Sequence, residues 1–480
     1  MARDDDRSGA MAVDLAERVL ALLRAREQTQ GVPTGTLARL GRTALAGARL
    51  GLSRLRGRLA GHDEAGLAGL DPETIARLTE SLGELKGVAM KIGQILSYID
   101  ETLPPESARV LALLQTQSQP TPLAEVEAAI RRELGERAPA LLGALEPEPV
   151  AVASIGQVHR ARLPDGTRVA VKVRHPGIAE ALQADFRAAR LGKEFARLLA
   201  PAGNVAEVMA EAEARFLEEC DYALEAERQE WFRGWFAGDP DLLVPRVHRD
   251  WSGPGLLVSD WCDGQSFEAF LGTDPPQAVR DRLGAALYRF YLGTLYRHGA
   301  LAADPHPGNL LFLADGRAAM LDFGCVREFP AADVAALIQL SAAARADEPG
   351  ALREALVRIG ARDPGTAGPD FETARDLVRG FLSPLLEPGP HRMAVGTSLA
   401  AREVLTNKRA MLRLNLPPGR LLFLFRIRFG LYAVLARLGA VADWGALEAD
   451  LARQAGSASS PEASGAGRPT GGPAGSTGSA

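Results

Sequence analysis

The sequence DPHPGN occupies residues 304–309, and DFG follows it at residues 322–324. Asp304 and Asn309 stand in the D-x-x-x-x-N spacing of a phosphoryl-transfer catalytic loop. A carboxylate at the first position can accept or orient a proton, and an amide at the second can ligate magnesium. An apolar run, a turn and a second apolar run separate the two motifs, and they predict a hairpin that delivers Asp322, whose carboxylate would bind the metal. These segments together predict a phosphoryl-transfer site.

Upstream of this region, the hydrophobic pattern changes and predicts strands at residues 150–152, 157–163 and 168–173, with a turn at 164–167 between the last two. A further short strand is predicted at residues 255–259. Small residues between the first two strands would let backbone N–H groups approach phosphate oxygens. The candidate phosphate-contacting residues are Ala151, Ala153, Ser154 and Gly156. Lys172 lies in the third strand, whose other residues are mostly apolar, and a buried ammonium needs an anion. We therefore predict that Lys172 is the cation of the phosphate site.

DPHPGN followed by LDFG resembles the UbiB/AarF/ADCK family of atypical, protein-kinase-like kinases. Two further motifs carry the same resemblance. KIGQ at residues 91–94 is similar to the KxGQ signature of the family, which lies on a helix ahead of the kinase core. ECDY at residues 219–222, followed by Glu225 and Ala226, is similar to its ExD motif and the adjoining EA pair. The resemblance covers about residues 80–330.

The resemblance implies roles for the polar residues of the core, with ATP and Mg²⁺ as their ligands. Lys172 would hold the α- and β-phosphates and pair with Glu225, on the helix equivalent to αC of protein kinases. Asp304 would be the catalytic-loop aspartate. Asn309 and Asp322 would be the metal ligands.

The resemblance also implies a regulatory motif, made up of Lys91, Gly93, Gln94, Glu219 and Asp221. The KxGQ helix would fold across the active site, with its lysine and glutamine facing the two carboxylates. Spacing supports this in part, because positions three apart share a helix face. The acidic run at residues 218–230 taken alone favours an exposed helix face, and this alternative stays open.

Several features differ from ordinary protein kinases. The loop over the phosphates is rich in alanine rather than glycine, and Ala302 and Ala303 stand where H-R-D has its first two residues. No A-P-E motif follows DFG, so a typical activation segment and peptide-docking groove are expected to be missing. Lys172 and Glu225 are also farther apart in sequence than in typical kinases, which leaves room for an inserted helix. An orthodox protein kinase is therefore the least favoured reading.

Composition limits the partners and the compartment. The hydrophobic fraction is 46%, the charged fraction 24% and the net charge −5, values of a globular protein that argue against general nucleic-acid binding. Three widely spaced cysteines without metal-ligand spacing favour a reducing cytoplasm. Residues 1–8 are charged and lack an apolar h-region, so we expect no signal peptide.

Two segments bear on membranes. Residues 416–440 are strongly apolar but contain Arg426, Arg428 and Arg437. Each arginine near a helix centre costs about 2.5–3.5 kcal/mol, whereas each leucine returns only about 0.3–0.6, so a buried or membrane-surface helix is predicted. Residues 36–60 interleave six arginines with leucines and contain no acid. This pattern predicts either a helix on an anionic membrane surface or one packed on the domain, and both stay open.

The predicted fold class is α+β, a bilobal kinase-like fold. Its parts are a lead and basic helix at 1–70, a helical KxGQ extension at 71–148, an N-lobe at 149–262, a mostly helical C-lobe at 263–454 and a disordered tail at 455–480. The extension includes a second helix, opened by Thr121-Pro122 and closed by Gly135. The predicted localisation is cytoplasmic, on the inner face of a membrane, without a transmembrane helix.

The predicted function is Mg-dependent ATP hydrolysis or phosphoryl transfer. The resemblance implies a supporting role in isoprenoid-quinone or other membrane-lipid metabolism, with a lipid-like substrate. Two alternatives stay open. One is a small-molecule kinase of the aminoglycoside or choline type, which shares a D-x-H-x-x-N loop, and the other is a pseudokinase that binds nucleotide as a switch.

Overall fold

The computed structural model describes residues 120–153, 155–180, 183, 217–393 and 420–458. The chain divides into two compact units. The first contains the described residues as far as Gly238, together with Leu243–Asp263 and Ala319–Cys325. The second contains Asp239–Leu242, Gly264–Ala318 and the described residues from Val326 onward. The DFG segment thus belongs to the first unit, although it follows much of the second unit's first long segment in the chain.

A four-stranded antiparallel sheet in the order β1-β2-β3-β5 forms the centre of the first unit. Its strands are β1 (Ala151–Val152), β2 (Gly156–Arg162), β3 (Arg168–Arg174) and β5 (Leu256–Asp260). Each lies within one residue of the strand that the sequence predicts. Side chains alternate between the two faces of a strand, so the valines of β3 are buried on one face and Lys172 lies on the other.

Two helices cover the valine face of this sheet. They are α1 (Leu123–Leu134) and α2 (Ala138–Leu142). The first begins after Pro122 and ends before Gly135, whose φ of +55° glycine adopts readily, and this confirms the predicted helix. Ile130 of α1 and Val171 of β3 are fully buried in one cluster. Burying such a side chain contributes about 1.5–3 kcal/mol, so α1, although predicted as part of the N-terminal extension, shares its core with the sheet.

The first unit also contains α3 (Tyr222–Trp235), which begins after Asp221. The Asp221 carboxylate accepts hydrogen bonds from the backbone N–H groups of Ala223 and Leu224, at 3.0 and 3.2 Å. An aspartate at this position satisfies donors that the helix leaves unpaired and favours its N-terminal dipole. The short strand β4 (Leu242–Leu243) follows α3 in the chain.

The second unit is mostly helical. Its helices are α4 (Phe267–Gly272), α5 (Gln277–Tyr288), which continues through the π-helical turn Arg289–Gly293 into α6 (Thr294–His298), then α7 (Ala331–Ala346), α8 (Pro349–Arg358), α9 (Pro369–Phe381), α10 (Ser383–Leu386), α11 (Arg420–Leu438) and α12 (Trp444–Ala458).

Short strands interrupt these helices more often than the sequence indicated. They are β6 (Gly264–Ser266), β7 (Ala300–Ala302), β8 (Leu310–Leu313), β9 (Ala318–Met320), β10 (Val326–Glu328), β11 (His391–Arg392) and β12 (Val441–Ala442). β6 pairs with β8, β7 with β10 and β11 with β12, each antiparallel. The hairpin predicted between the two motifs is present as β8, a turn at Gly316 and β9, and the Leu313 N–H donates to the Arg317 carbonyl at 2.9 Å. The other short strands were not predicted, because strands of two to four residues are too short to show an alternating pattern.

The apolar segment predicted as a non-spanning helix is α11, and its arginine Arg428 lies inside the protein. The Arg428 side chain is 4% exposed and pairs with Glu448 of α12, which is 2% exposed, at 2.6 Å. Among the described helices, none combines the length and the apolar character needed to cross a bilayer.

At the C-terminus, α12 continues through Ala458, past the predicted start of the tail at residue 455. The remainder of the predicted tail, the basic segment at 36–60, the KxGQ helix and most of the predicted inserted helix lie outside the described residues.

Candidate active site

Lys172 and Glu225 are brought together on the face of the sheet opposite α1. The Lys172 Nζ donates to both carboxylate oxygens of Glu225, at 2.6 and 2.9 Å. The alternation of β3 directs Lys172 to this face, and Glu225 lies in the first turn of α3. Glu225 is 1% exposed, so the acidic run that the sequence alone favoured as an exposed helix face is buried at this position.

The charge of Lys172 is stabilised by two carboxylates. Burial lowers the pKa of its ammonium, but the negative charges of Glu225 and Asp322 outweigh burial and hold that pKa above its ordinary value. The ammonium also lies 4.9 Å from the ring centroid of Tyr222. Lys172 therefore stays protonated at neutral pH and can bind an anion.

The DFG segment packs on the same helix, α3. The ring of Phe323 is fully buried, with its centroid 5.2 Å from that of Phe232. The backbone N–H of Gly324 donates to Asp322 Oδ1 at 2.9 Å. The structure thus places Asp322 in the first unit near Lys172 and Glu225, which are 150 and 97 residues away in sequence.

The loop predicted to cradle phosphates joins β1 to β2. Ala151 and Ala153 are exposed, whereas Gly156 is buried and Ser154 lies outside the described residues. The Ala153 N–H donates to the Gly156 carbonyl at 2.7 Å, which closes the loop. A Cβ on Gly156 would lie 2.5 Å from the Val173 carbonyl oxygen, so close packing of the loop on β3 requires glycine there. A phosphate contact by this loop stays a prediction.

The segment before α1 is attached to this loop by hydrogen bonds that sequence reasoning missed. Gln157 accepts from the Thr121 N–H at 2.6 Å, and Thr121 Oγ1 contacts His175 Nδ1 at 2.6 Å. The other ring nitrogen of His175 lies 3.3 Å from the Ala153 carbonyl. Burial lowers the pKa of His175, so the ring is neutral at neutral pH. The loop is thereby connected to the chain that precedes it.

The DPHPGN loop belongs to the second unit, between β7 and β8. The Asn309 side-chain amide donates to the Asp304 carbonyl and carboxylate oxygens, both at 3.2 Å. His306 accepts the Gly308 N–H through Nδ1 at 3.0 Å. The D-x-x-x-x-N spacing thus forms one hydrogen-bonded loop, with the Asp304 side chain exposed.

Helix α11 supports this loop at a position that the sequence did not identify. A Cβ placed on Gly430 would lie 2.7 Å from Pro305 Cγ and 3.5 Å from the Pro305 carbonyl oxygen. Only glycine lets the helix approach the proline ring this closely. Pro305 is adjacent to Asp304, so this contact can fix the position of the aspartate.

Replacing Gly430 with alanine is therefore expected to lower the ATP turnover predicted from the sequence by about 10–100-fold, because small displacements of reacting groups have effects of that size. Steady-state turnover is the measurement. Gly350→Ala on α8 is the control, since no heavy atom lies within 4 Å of the Cβ position there. Equal turnover in the two variants would show that Gly430 does not position the loop.

Of the proposed regulatory residues, the structure describes Glu219 and Asp221. Asp221 is the N-cap of α3, as shown above, and Glu219 is half-buried. Lys91, Gly93 and Gln94 lie outside the described residues. The predicted pairing of the two motifs stays a prediction.

The donor set fits a magnesium ion with a nucleotide. Asp322 uses one carboxylate oxygen for the Gly324 N–H, which leaves the second as a ligand. Mg²⁺ is typically held by one or two carboxylates together with substrate phosphates and waters. Lys172 would meet the phosphate charge.

Comparison with known proteins identifies the class. The ABC1 atypical kinase-like domain matches residues 113–354, half of the chain. The chain therefore belongs to the ABC1 atypical kinase-like family, which includes the UbiB, AarF and COQ8 kinases. This confirms the family resemblance of the motifs and the predicted α+β kinase-like fold.

Two curated relatives illustrate the similarity. The chain is 36% identical over 245 residues to the chloroplastic ACTIVITY OF BC1 COMPLEX KINASE 3 of Arabidopsis thaliana, covering 50% of this chain and 34% of that protein. It is 30% identical over 264 residues to the mitochondrial atypical kinase COQ8 of Saccharomyces cerevisiae, covering 54% of this chain and 52% of that protein.

A solved structure from Mycobacterium tuberculosis, the complex of Rv3197 with erythromycin, is 28% identical with a TM-score of 0.56, covering 79% of this chain and 95% of that one. In contrast to this solved structure, the two curated relatives are matched over about half of their length or less. The kinase names of the relatives support a kinase-type phosphotransferase.

Proposed function

We propose that this protein binds ATP with Mg²⁺ and turns it over as an atypical kinase or ATPase. The observation that carries the proposal is the buried ion pair of Lys172 and Glu225 beside Asp322. A lysine held charged by carboxylates, with a further carboxylate beside it, suits a triphosphate and its metal. Structural ion pairs also perturb pKa values, but this one coincides with the DFG and DPHPGN motifs.

Each residue has a proposed role in this reaction. Lys172 would hold the α- and β-phosphates, with Glu225 fixing its position. Asp322 and Asn309 would ligate Mg²⁺, which neutralises phosphate charge when bound. Asp304 would orient the attacking hydroxyl or water and accept its proton. The alanine-rich loop from Ala151 to Gly156 would cover the phosphates.

We further propose that the activity supports isoprenoid-quinone or other membrane-lipid metabolism. Membership of the family supports this, and the basic, leucine-containing segment at residues 36–60 gives a sequence reason for contact with anionic lipid. The phosphate acceptor would be lipid-like or water.

The test is ATP turnover by the full chain in Mg²⁺ or in EDTA, with and without anionic liposomes. We expect turnover that requires Mg²⁺ and rises with liposomes, and an Asp322→Asn variant that falls to the EDTA level. Tight nucleotide binding without turnover under any condition would favour the switch alternative instead. Turnover unaffected by liposomes would remove the membrane part of the proposal.

A second candidate function is binding of a macrolide. It is supported by the solved relative in complex with erythromycin, which this chain matches over 95% of that chain. Erythromycin should then raise the melting temperature, and ATP with Mg²⁺ should show whether the compound is phosphorylated. An unchanged melting temperature at saturating drug would reject this candidate.

A further inference from the structure

One face of α3 lies along the DFG segment and interacts with each of its three residues. Glu225, Arg228 and Phe232 lie three and seven positions along the helix, and this spacing places them on the same side. The Glu225 carboxylate interacts electrostatically with Asp322, and its Oε2 lies 3.4 Å from the position that a Cβ on Gly324 would take. Phe232 packs on the phenylalanine of the segment, and the middle member of the face is an arginine.

Arg228 uses both ends of its guanidinium group. Nη1 donates to the Gly324 carbonyl oxygen at 3.1 Å, and Nη2 donates to Glu218 Oε2 at 3.1 Å. The residue is only 7% exposed. A planar guanidinium presents donors in a fixed fork, so these two bonds set the distance between their acceptors. Glu218 stands directly before Glu219 of the ExD motif.

Gly324 is consequently held on both sides. Its N–H donates to Asp322 Oδ1 at 2.9 Å, and its carbonyl accepts from Arg228. The first of these bonds orients the carboxylate proposed to bind the metal. The second fixes the peptide that follows and so limits the backbone orientations that the glycine can adopt.

Building on the proposed function, we propose that Arg228 is a positioning residue for Mg²⁺. It fixes Gly324, which in turn fixes the Asp322 carboxylate, and it connects this carboxylate to the acidic segment at Glu218. Groups that orient a metal ligand without touching the metal commonly change metal affinity by about 10–100-fold when replaced. The affinity of the nucleotide site for the metal is thereby set in part by a residue on α3.

Charge alone would act in the opposite direction. If charge alone acted, removing the positive charge of Arg228 would make the Asp322 carboxylate attract Mg²⁺ more strongly. The charge of Arg228 is largely neutralised by Glu218 at 3.1 Å, so its field at the metal is small and its hydrogen-bonding geometry dominates. Replacement should therefore weaken metal binding rather than strengthen it.

The experiment measures how much Mg²⁺ tightens nucleotide binding. ADP is titrated calorimetrically into the full chain in MgCl₂ and in EDTA, and the ratio of the two dissociation constants is compared among variants. Arg228→Gln removes the fork and the charge, whereas Arg228→Lys keeps the charge and loses the fork. Arg233→Gln is the matched control, because Arg233 is an exposed arginine on the same helix that also pairs with a glutamate, Glu230.

We expect both Arg228 variants to lower the ratio by about 10-fold or more and to keep the affinity for ADP in EDTA. The Arg233 variant should keep both values. If Arg228→Gln does not fold, the ratio measured for Arg228→Lys tests the proposal by itself. The proposal would be overturned if Arg228→Lys kept the wild-type ratio of the two ADP dissociation constants, or if Arg228→Gln raised that ratio. It would also be overturned if the variants lost as much affinity for ADP in EDTA as in MgCl₂. If the ADP affinity of the wild-type protein did not depend on Mg²⁺, the proposed function itself would be contradicted instead.

Discussion

Replacing Glu448 with alanine is expected to lower the free energy of unfolding of the second unit by about 3–5 kcal/mol. Glu448 Oε1 accepts from Arg428 at 2.6 Å and from the Tyr296 hydroxyl at 2.5 Å, and the Tyr288 hydroxyl donates to Oε2. The alanine variant leaves the guanidinium of Arg428 buried without its counter-ion. Denaturant unfolding gives the change in stability, and hydrogen exchange of α11 and α12 localises it.

Asp450→Ala is the matched control for this variant. Asp450 lies on the same helix and pairs with Arg453, but both side chains are at least half exposed. Exposed pairs of this kind typically contribute about 0–1 kcal/mol. Similar losses in the two variants would show that the buried network does not stabilise the unit. Replacing Arg428 and Glu448 together by apolar residues should recover most of the stability, since no charge is then left buried.

Lys172→Met is expected to lower ATP turnover by about 10²–10³-fold, the size of effect seen when one group that stabilises developing charge is removed. Methionine keeps the length of the side chain but cannot meet the phosphate charge. Single-turnover kinetics with ATP and Mg²⁺ is the measurement. The double variant Lys172→Met with Glu225→Gln is the control, because it removes the unpaired carboxylate without restoring the cation.

The single variant should also lose stability as the pH rises. Burial raises the pKa of Glu225, and in the absence of Lys172 the neighbouring charge of Asp322 raises it further. A folded-state pKa above the unfolded value means that the folded variant holds its proton more tightly. Its stability is therefore retained below about pH 4.3, the ordinary glutamate value, and falls as the pH rises towards the folded-state pKa. The double variant should not lose stability over this pH range, because it lacks the Glu225 carboxyl. If the stability of both variants changed with pH in the same way, the loss could not be assigned to Glu225.

The sequence predicted the parts of this protein that short-range pattern determines. The strands of the first sheet followed from alternation and from the turn at Gly166, whose φ is +85°. The helix from Leu123 to Leu134 followed from its bounding proline and glycine. Asp304 and Asn309 followed from their fixed spacing in one loop.

Contacts between distant residues could not be predicted in this way. Arg428 was recognised as too charged for a membrane span, but nothing in the sequence connects it with Glu448 or with Tyr288, which is 140 residues away. Arg228 lay within an acidic run that resembled a solvated face. The spacing of Glu225, Arg228 and Phe232 on one helix face was the available signal, and it becomes informative only once Glu225 is known to be buried.

A ribosome that has translated as far as Asp263 has not yet made the segment Ala319–Cys325, which completes the first unit. Until that segment emerges, Phe232 lacks the ring of Phe323, and Arg228 lacks the carbonyl of Gly324. Domains usually fold one after another from the N-terminus during synthesis. Here the core of the nascent first unit stays incomplete while residues 264–318 of the second unit are translated. Chaperones that shield exposed apolar surface would be most needed during this interval of biosynthesis.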